Sequence, residues 1–292
     1  MTEQKVVGVD IGGSHITAGV VDLHNQTLME GTLIRRKVDS TAKAEEILKA
    51  WSDCISDIPG YHPSICKIGI AMPGPFDYVE GISLLKDQGK YASLYGMNIK
   101  EELARALQTS TCCIHFENDA ACFLQGEVSA GAARPYQKAI GLTLGTGLGS
   151  ARFHGDFAED AALWCSPFRG TIAEEYVSTR WFRDQYSAKA GKKIKDVRSL
   201  ADLSATDALA KDIFHEFGEN LGEFLCNFIK NDQPEVIVLG GNISKAEGLF
   251  MPSLQEYLLK NGHSTPIAIT QLGEQAALIG AAYSWEYNQK AI

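Results

Sequence analysis

Lys5-Val6-Val7-Gly8-Val9-Asp10-Ile11-Gly12-Gly13-Ser14 is an apolar run that ends on a carboxylate and breaks into two glycines and a hydroxyl. Its β-branched residues predict a buried strand over residues 5–10, which the glycines stop. Residues 15–22 read as a second strand and 27–38 as a third, with the turn residues Asp22-Leu23-His24-Asn25 between them. The pattern then restarts far down the chain. Residues 138–144 form another apolar run, Gly145-Thr146-Gly147-Leu148-Gly149 a second glycine turn, and residues 150–153 a returning strand. When residues 7–13 are set beside 140–146, apolar residues and glycines coincide except at Asp10/Thr143 and Gly13/Thr146. Such a repeat predicts two α/β lobes, each opening with a hairpin, that could face one ligand from both sides.

Between and after these hairpins the chain alternates helix and strand. Ile47, Leu48, Trp51, Ile55 and Ile58 recur at helical spacing, so a helix is expected over 43–58, ended by Pro59-Gly60. A strand over 67–72 is broken by Pro73-Gly74-Pro75. Asn98-Ile99-Lys100-Glu101 is a capping box opening a helix to residue 108, and 111–116 is a short buried strand. Phe214, Phe217, Leu221, Phe224, Leu225 and Phe228 form one face of a long helix. Strands over 235–239 and 267–270 and a terminal helix over 274–287 complete the pattern, and the polar stretch 188–198 reads as a surface excursion. The expected division is a small lobe of residues 1–117 plus 274–292 and a large lobe of 118–273.

Composition narrows the classes. With 292 residues, 45% hydrophobic and 22% charged, the chain is long enough for two cores and has an ordinary globular balance. No apolar run approaches the ~18 residues of a membrane span. No signal peptide is read at the start, and a cytoplasmic location is expected. The net charge of -9, with only short basic runs at Arg35-Arg36-Lys37 and Lys192-Lys193-Ile194-Lys195, argues against nucleic acid as a partner. The seven cysteines, among them Cys66 and Cys113, show no CxxC or CxC pair; reduced, mostly buried thiols are expected.

Five motifs carry chemistry, each with a plainer alternative. Asp10-Ile11-Gly12-Gly13-Ser14 suits a phosphate cradle, with Asp10 holding Mg²⁺ through water; it also suits an ordinary hairpin turn. Gly145-Thr146-Gly147-Leu148-Gly149 exposes backbone to phosphates but is followed by no lysine, so it is not a P-loop. Glu117-Asn118-Asp119 opens a helix after an apolar strand. It reads as a helix N-cap, or as a polyol ligand (Asn118) beside a base (Asp119). Ala71-Met72-Pro73-Gly74-Pro75 is a stiff turn that walls a pocket or is only a rigid loop. Leu239-Gly240-Gly241-Asn242 lets a flat adenine or ribose approach, or is a simple strand-to-helix turn.

Together and in this order, the five motifs resemble the ROK family of sugar kinases and sugar-responsive repressors, within the actin, Hsp70 and hexokinase superfamily. The resemblance runs from Val6 to the terminal helix. It implies an α/β, two-lobed actin-like ATPase (ribonuclease H-like) fold, each lobe a mixed sheet flanked by helices, with a cleft between lobes. It implies ATP-dependent phosphorylation of a hexose at a primary hydroxyl, glucose to glucose 6-phosphate first. N-acetylglucosamine, N-acetylmannosamine, mannose and fructose are the alternatives, as is a non-catalytic sugar-sensing regulator. By the same resemblance Asp119 aligns with the catalytic base, and Asn118, Asn98, Gly74 and Glu174 with sugar contacts, the register of Glu174 against Glu175 being open by one residue. Gly12, Gly13, Ser14, Gly145, Thr146 and Gly147 align with the phosphate loops, Gly240 and Gly241 with the adenosine site, and Asp10 with Mg²⁺. ATP and Mg²⁺ are the implied cofactors, sugar and ATP the partners, with no nucleic acid or membrane; similar kinases are often homodimers. One departure stands out. Many members carry a GH pair and a CxCGxxGC zinc loop, whereas residues 161–170 hold one cysteine and no histidine. No structural zinc is expected. Trp164 or Phe168 is expected to pack there instead.

Overall fold

In the computed structural model, which describes residues 5–62, 67–86 and 89–290, the opening run forms strand β1 (Lys5–Ile11). The glycines turn it into antiparallel β2 (His15–Asp22), with Asp10 opposite Thr17. The expected third strand is two short ones, β3 (Thr27–Leu28) and β4 (Ile34–Lys37), both paired to β2. The break is local: Gly31 takes a φ of +75°, and the Thr32 hydroxyl accepts from the Val20 N–H while donating to the Met29 carbonyl. Strands β5 (Ile68–Met72) and β6 (Ile114–Asn118) then add in parallel, giving the order β3-β2-β1-β5-β6. β6 starts later than expected because residues 111–113 form a 3₁₀ turn closed by the Cys113 N–H on Ser110.

The second sheet repeats this plan. β7 (Ala139–Leu144) and β8 (Leu148–Phe153) are an antiparallel hairpin. β9 (Val236–Gly240) and β10 (Ile267–Ile269) follow in parallel, giving β8-β7-β9-β10. The internal repeat is therefore topological as well as sequential.

Contacts divide the chain into two units: residues up to 134 with 157–159 and 274 onward, and residues 135–156 with 160–273. Each has its own core. Ile47, Trp51 and Ile55 of helix Ala44–Ser56 pack with Val7, Val9 and Ile70 in the first. In the second, Phe214 and Phe217 of the capped helix Ala208–Asp232 stack around Phe182, with ring centroids 4.9 and 4.6 Å apart. The division falls at 134/135 rather than 117/118, because helix Asp119–Ala130 packs on the terminal helix Ala276–Lys290 at backbone distance. A Cβ added to Gly280 would stand 1.8 Å from the Cys122 carbonyl oxygen, and one on Gly126 2.1 Å from that of Ala276. Gly280→Ala is therefore expected to cost at least about 1–3 kcal/mol by overpacking, read as a fall in Tm with no change in oligomeric state.

Two further expectations are corrected. Residues 188–198 are not all surface: Ile194 and Val197 are buried where helix Val197–Leu203 begins. The thiols of Cys54, Cys112, Cys122, Cys165 and Cys226 are free, but Cys113 is disulfide-bonded; Cys66 lies outside the described residues. Among the described residues no helix is long and apolar enough to cross a membrane.

Candidate functional site

In the first unit β1, β5 and β6 run parallel, so their carboxyl ends lie side by side. The register sets Asp10 against Ala71 and Met72 against Asn118. Asp10, Pro73-Gly74-Pro75 and Asn118-Asp119 thus share one sheet end, the place where open α/β sheets bind ligands.

The side chains there are set by the local fold. Asn118 is 6% exposed and caps the following helix; its Oδ1 accepts from the N–H groups of Ala120 and Ala121 at 2.9 and 3.0 Å. Its Nδ2 donates to the Tyr78 hydroxyl at 3.2 Å, and that hydroxyl donates to the Met72 carbonyl. The N-cap reading is realised, and one Nδ2 hydrogen remains. Asp119 is the first helical residue. Burial pushes its carboxyl above the usual range, against the opposing pull of Lys90. Burial, and next the Asp119 carboxylate, push Asp10 up to about 7, with Arg35 lowering it and Glu274 raising it. Arg35 is itself ion-paired to Glu274.

The first glycine turn is pinned from outside. The Tyr91 hydroxyl donates to the Gly12 carbonyl at 2.6 Å, and the Gly12 N–H to His15 at 2.9 Å. The Ser14 hydroxyl lies 2.9 Å from His15 Nδ1. Neither Gly12 nor Gly13 has a positive φ. A Cβ on Gly12 would come no nearer than 3.5 Å to a neighbour, and one on Gly13 no nearer than 3.6 Å. The fold does not need glycine here, so the space is left for another group to reach the backbone. Asn98 caps helix Ile99–Ala106, its Oδ1 accepting from the Glu101 N–H at 3.0 Å, which leaves its Nδ2 to donate elsewhere. A Cβ on Gly74 would stand 3.2 Å from the Tyr78 hydroxyl that holds Asn118.

In the second unit β7 and β9 are parallel, with Gly240 opposite Thr143. Gly145 and Gly240-Gly241 therefore share a sheet end as well. The Thr179 N–H and hydroxyl both donate to the Gly145 carbonyl at 2.8 Å, and the Gly145 N–H to Gly147 at 3.0 Å. A Cβ on Gly145 would meet nothing within 4 Å. Gly241 is different: its φ is +84° and a Cβ would stand 2.3 Å from the Leu144 carbonyl oxygen. It is glycine for the fold, packed where β7 enters its turn. Glu174 braces this turn, its Oε2 accepting from the Leu148 N–H at 3.1 Å and its Oε1 from Arg180 at 3.3 Å. Of the adjacent pair, Glu174 faces the glycine turn, and Glu175 pairs with Arg180 at the surface.

The donor set fits a hydrated divalent cation. Asp10 sits among carboxylates that raise it, an excess of negative charge that a cation would relieve. Among the described residues no group of three or more His, Cys, Asp or Glu is placed to hold a metal, so Asp10 would hold such an ion largely through water. In the stretch 161–170 Phe168 is buried and packs on Tyr176 with ring centroids 5.2 Å apart, while Trp164 is exposed. Lys90, Tyr91, Arg35 and Glu274 escaped the sequence reading. No spacing marks them: Lys90 and Tyr91 come from a loop, Arg35 from β4 and Glu274 from the turn before the terminal helix.

The chain resembles known proteins in sequence and in fold. The model described as "ROK family" matches residues 6–157 and 154–287. The chain is similar to a beta-glucoside kinase of Klebsiella pneumoniae, 26% identical over 98% of this chain and 96% of that one. It is also similar to a glucokinase of Thermotoga maritima, 26% identical over 97% of each. A ROK hexokinase of Thermus thermophilus superposes with a TM-score of 0.78 at 23% identity, covering 99% of this chain and 100% of that one. A ROK family glucokinase of Streptomyces griseus, in complex with glucose and AMPPNP, does so at 0.76 and 22%, covering 95% and 98%.

Proposed function

This chain belongs to the ROK family, and on that premise we propose that it transfers the terminal phosphoryl group of ATP to a primary hydroxyl of a hexose. The observation that supports the reading best is the place of Asp119: a carboxyl of raised pKa at a sheet end, beside a glycine turn with room at its backbone. Phosphoryl transfer asks for an aligned nucleophile, a base and charge neutralisation.

Each residue then has a part. Asp119 accepts the hydroxyl proton as the sugar oxygen bonds to phosphorus and the bond to the bridging oxygen breaks, releasing ADP. The Nδ2 groups of Asn98 and Asn118 donate to sugar hydroxyls, and Gly74 lets the sugar lie close to the Pro73-Gly74-Pro75 turn. In its own unit Glu174 has lone pairs beyond those used by Leu148 and Arg180, which can accept a sugar hydroxyl. The Gly12-Gly13-Ser14 turn offers backbone N–H groups and a hydroxyl to phosphate oxygens, as do Gly145, Thr146 and Gly147 in their own unit. Gly240-Gly241, next to that second turn, lines the adenosine. Asp10 would hold Mg²⁺ through water, and the ion would supply charge neutralisation on the phosphates.

Glucose is the first substrate expected. The names of relatives widen the panel to a β-glucoside and N-acetylgalactosamine. Coupled ADP release with these, and with N-acetylglucosamine, N-acetylmannosamine, mannose and fructose, is expected to be sugar-dependent for at least one. Tight sugar binding with no ADP release from any would instead indicate a sugar-sensing protein.

The raised carboxyl sets a pH dependence. As pH falls through that raised value Asp119 takes a proton and stops acting as a base, so kcat/KM falls on the acid side. The acid limb is expected above the ordinary aspartate value of about 3.9. A profile flat down to that value would contradict it.

A further inference from the structure

A loop segment is bolted to the first glycine turn. Tyr91 is fully buried; besides its bond to the Gly12 carbonyl, its N–H donates to the Ser40 carbonyl at 2.7 Å, and Trp51 packs edge-on at 5.2 Å. Its φ of 56° is left-handed, a conformation that bulky residues hold only where their surroundings impose it. The residue before it is therefore held against the turn. Lys90 Cδ lies 3.6 Å from where a Cβ on Gly13 would stand. Among the described residues the Lys90 ammonium is in no ion pair, and it is the cation whose charge acts on Asp119.

Neither glycine turn has a lysine of its own, yet phosphoryl transfer spreads negative charge over three equatorial oxygens. We propose that the Lys90 ammonium grips the γ-phosphoryl group of ATP at the Gly12-Gly13 turn, a catalytic contact supplied by a loop rather than by the glycine motif. The proposal rests on the kinase reading above. Lys90 takes no part in the proton transfer: the proton of the sugar hydroxyl goes to Asp119, and ADP carries away the bridging oxygen. The same positive charge opposes the effect of burial on Asp119 and so favours the ionised base.

The test pairs binding with turnover. ATP and ADP are titrated calorimetrically into the wild-type protein, Lys90→Met and Lys90→Arg, with Tm as the check on folding, and ADP release is measured alongside. Lys90→Met is expected to lose about tenfold or more of the preference for ATP over ADP, keep its ADP affinity, and lose about 10²–10³ in kcat. Lys90→Arg is expected to recover part of both. An unchanged ATP preference in Lys90→Met, or equal losses for ATP and ADP, overturns the proposal. A wild type with a Lys90-dependent ATP preference but no sugar turnover supports the contact and defeats the kinase reading. Full sugar turnover by Lys90→Met does the reverse.

Discussion

Asp119→Asn is expected to lower kcat by about 10²–10⁴-fold while sugar KM stays within a few-fold of wild type. Asn118 caps helix Asp119–Ala130, and the Asp119 Oδ1 also accepts from the Ala120 N–H at 2.9 Å, a bond that an amide oxygen can keep, so the exchange leaves the helix start intact. It also removes a buried negative charge that raises Asp10, so Tm above neutral pH should hold or rise. Loss of turnover with an unchanged fold and retained sugar binding is thus the signature of a missing base. Initial rates over a range of sugar concentration check it, with a melting curve for each protein. Near-normal kcat would remove Asp119 from the role.

The second large effect divides the glycines. Gly13→Ala and Gly145→Ala are expected to melt like wild type, because neither added Cβ meets an atom closer than 3.6 Å. Both should nonetheless lose about tenfold or more in kcat/KM for ATP, since the methyl group occupies the approach to the backbone. Gly241→Ala should do the opposite first. Its φ of +84° and the 2.3 Å approach to the Leu144 carbonyl force the backbone to move, and Tm should fall by several degrees. Melting curves and ATP saturation on the three variants give the answer. Equal melting losses at all three would mean that the first two glycines are structural as well.

These contrasts show what the sequence could and could not carry. The two hairpins were legible because their signal is local: a β-branched run, a glycine stop and a returning strand. The N-cap at Asn118 was legible for the same reason, as an Asn-Asp pair between an apolar strand and a helix. Where a distant contact decides, the sequence was silent. The strand expected over 27–38 is broken by a turn that Thr32 closes onto Val20. The boundary moved to 134/135 because Gly126 and Gly280 let two helices, far apart in sequence, touch backbone to backbone. Lys90 sits in a polar loop with nothing in its spacing to distinguish it. The bond from Tyr91 to Gly12 brings it to the turn. The Glu174 carboxylate holds the Leu148 N–H, a bond that no residue pattern announces.

A crystal structure of the protein with glucose and a non-hydrolysable ATP analogue would show directly whether one acid takes the proton of the attacking hydroxyl. An Asp119 carboxylate oxygen is expected within about 2.6–3.2 Å of the primary hydroxyl. A sugar bound with that hydroxyl turned from Asp119 and held by another base would contradict it.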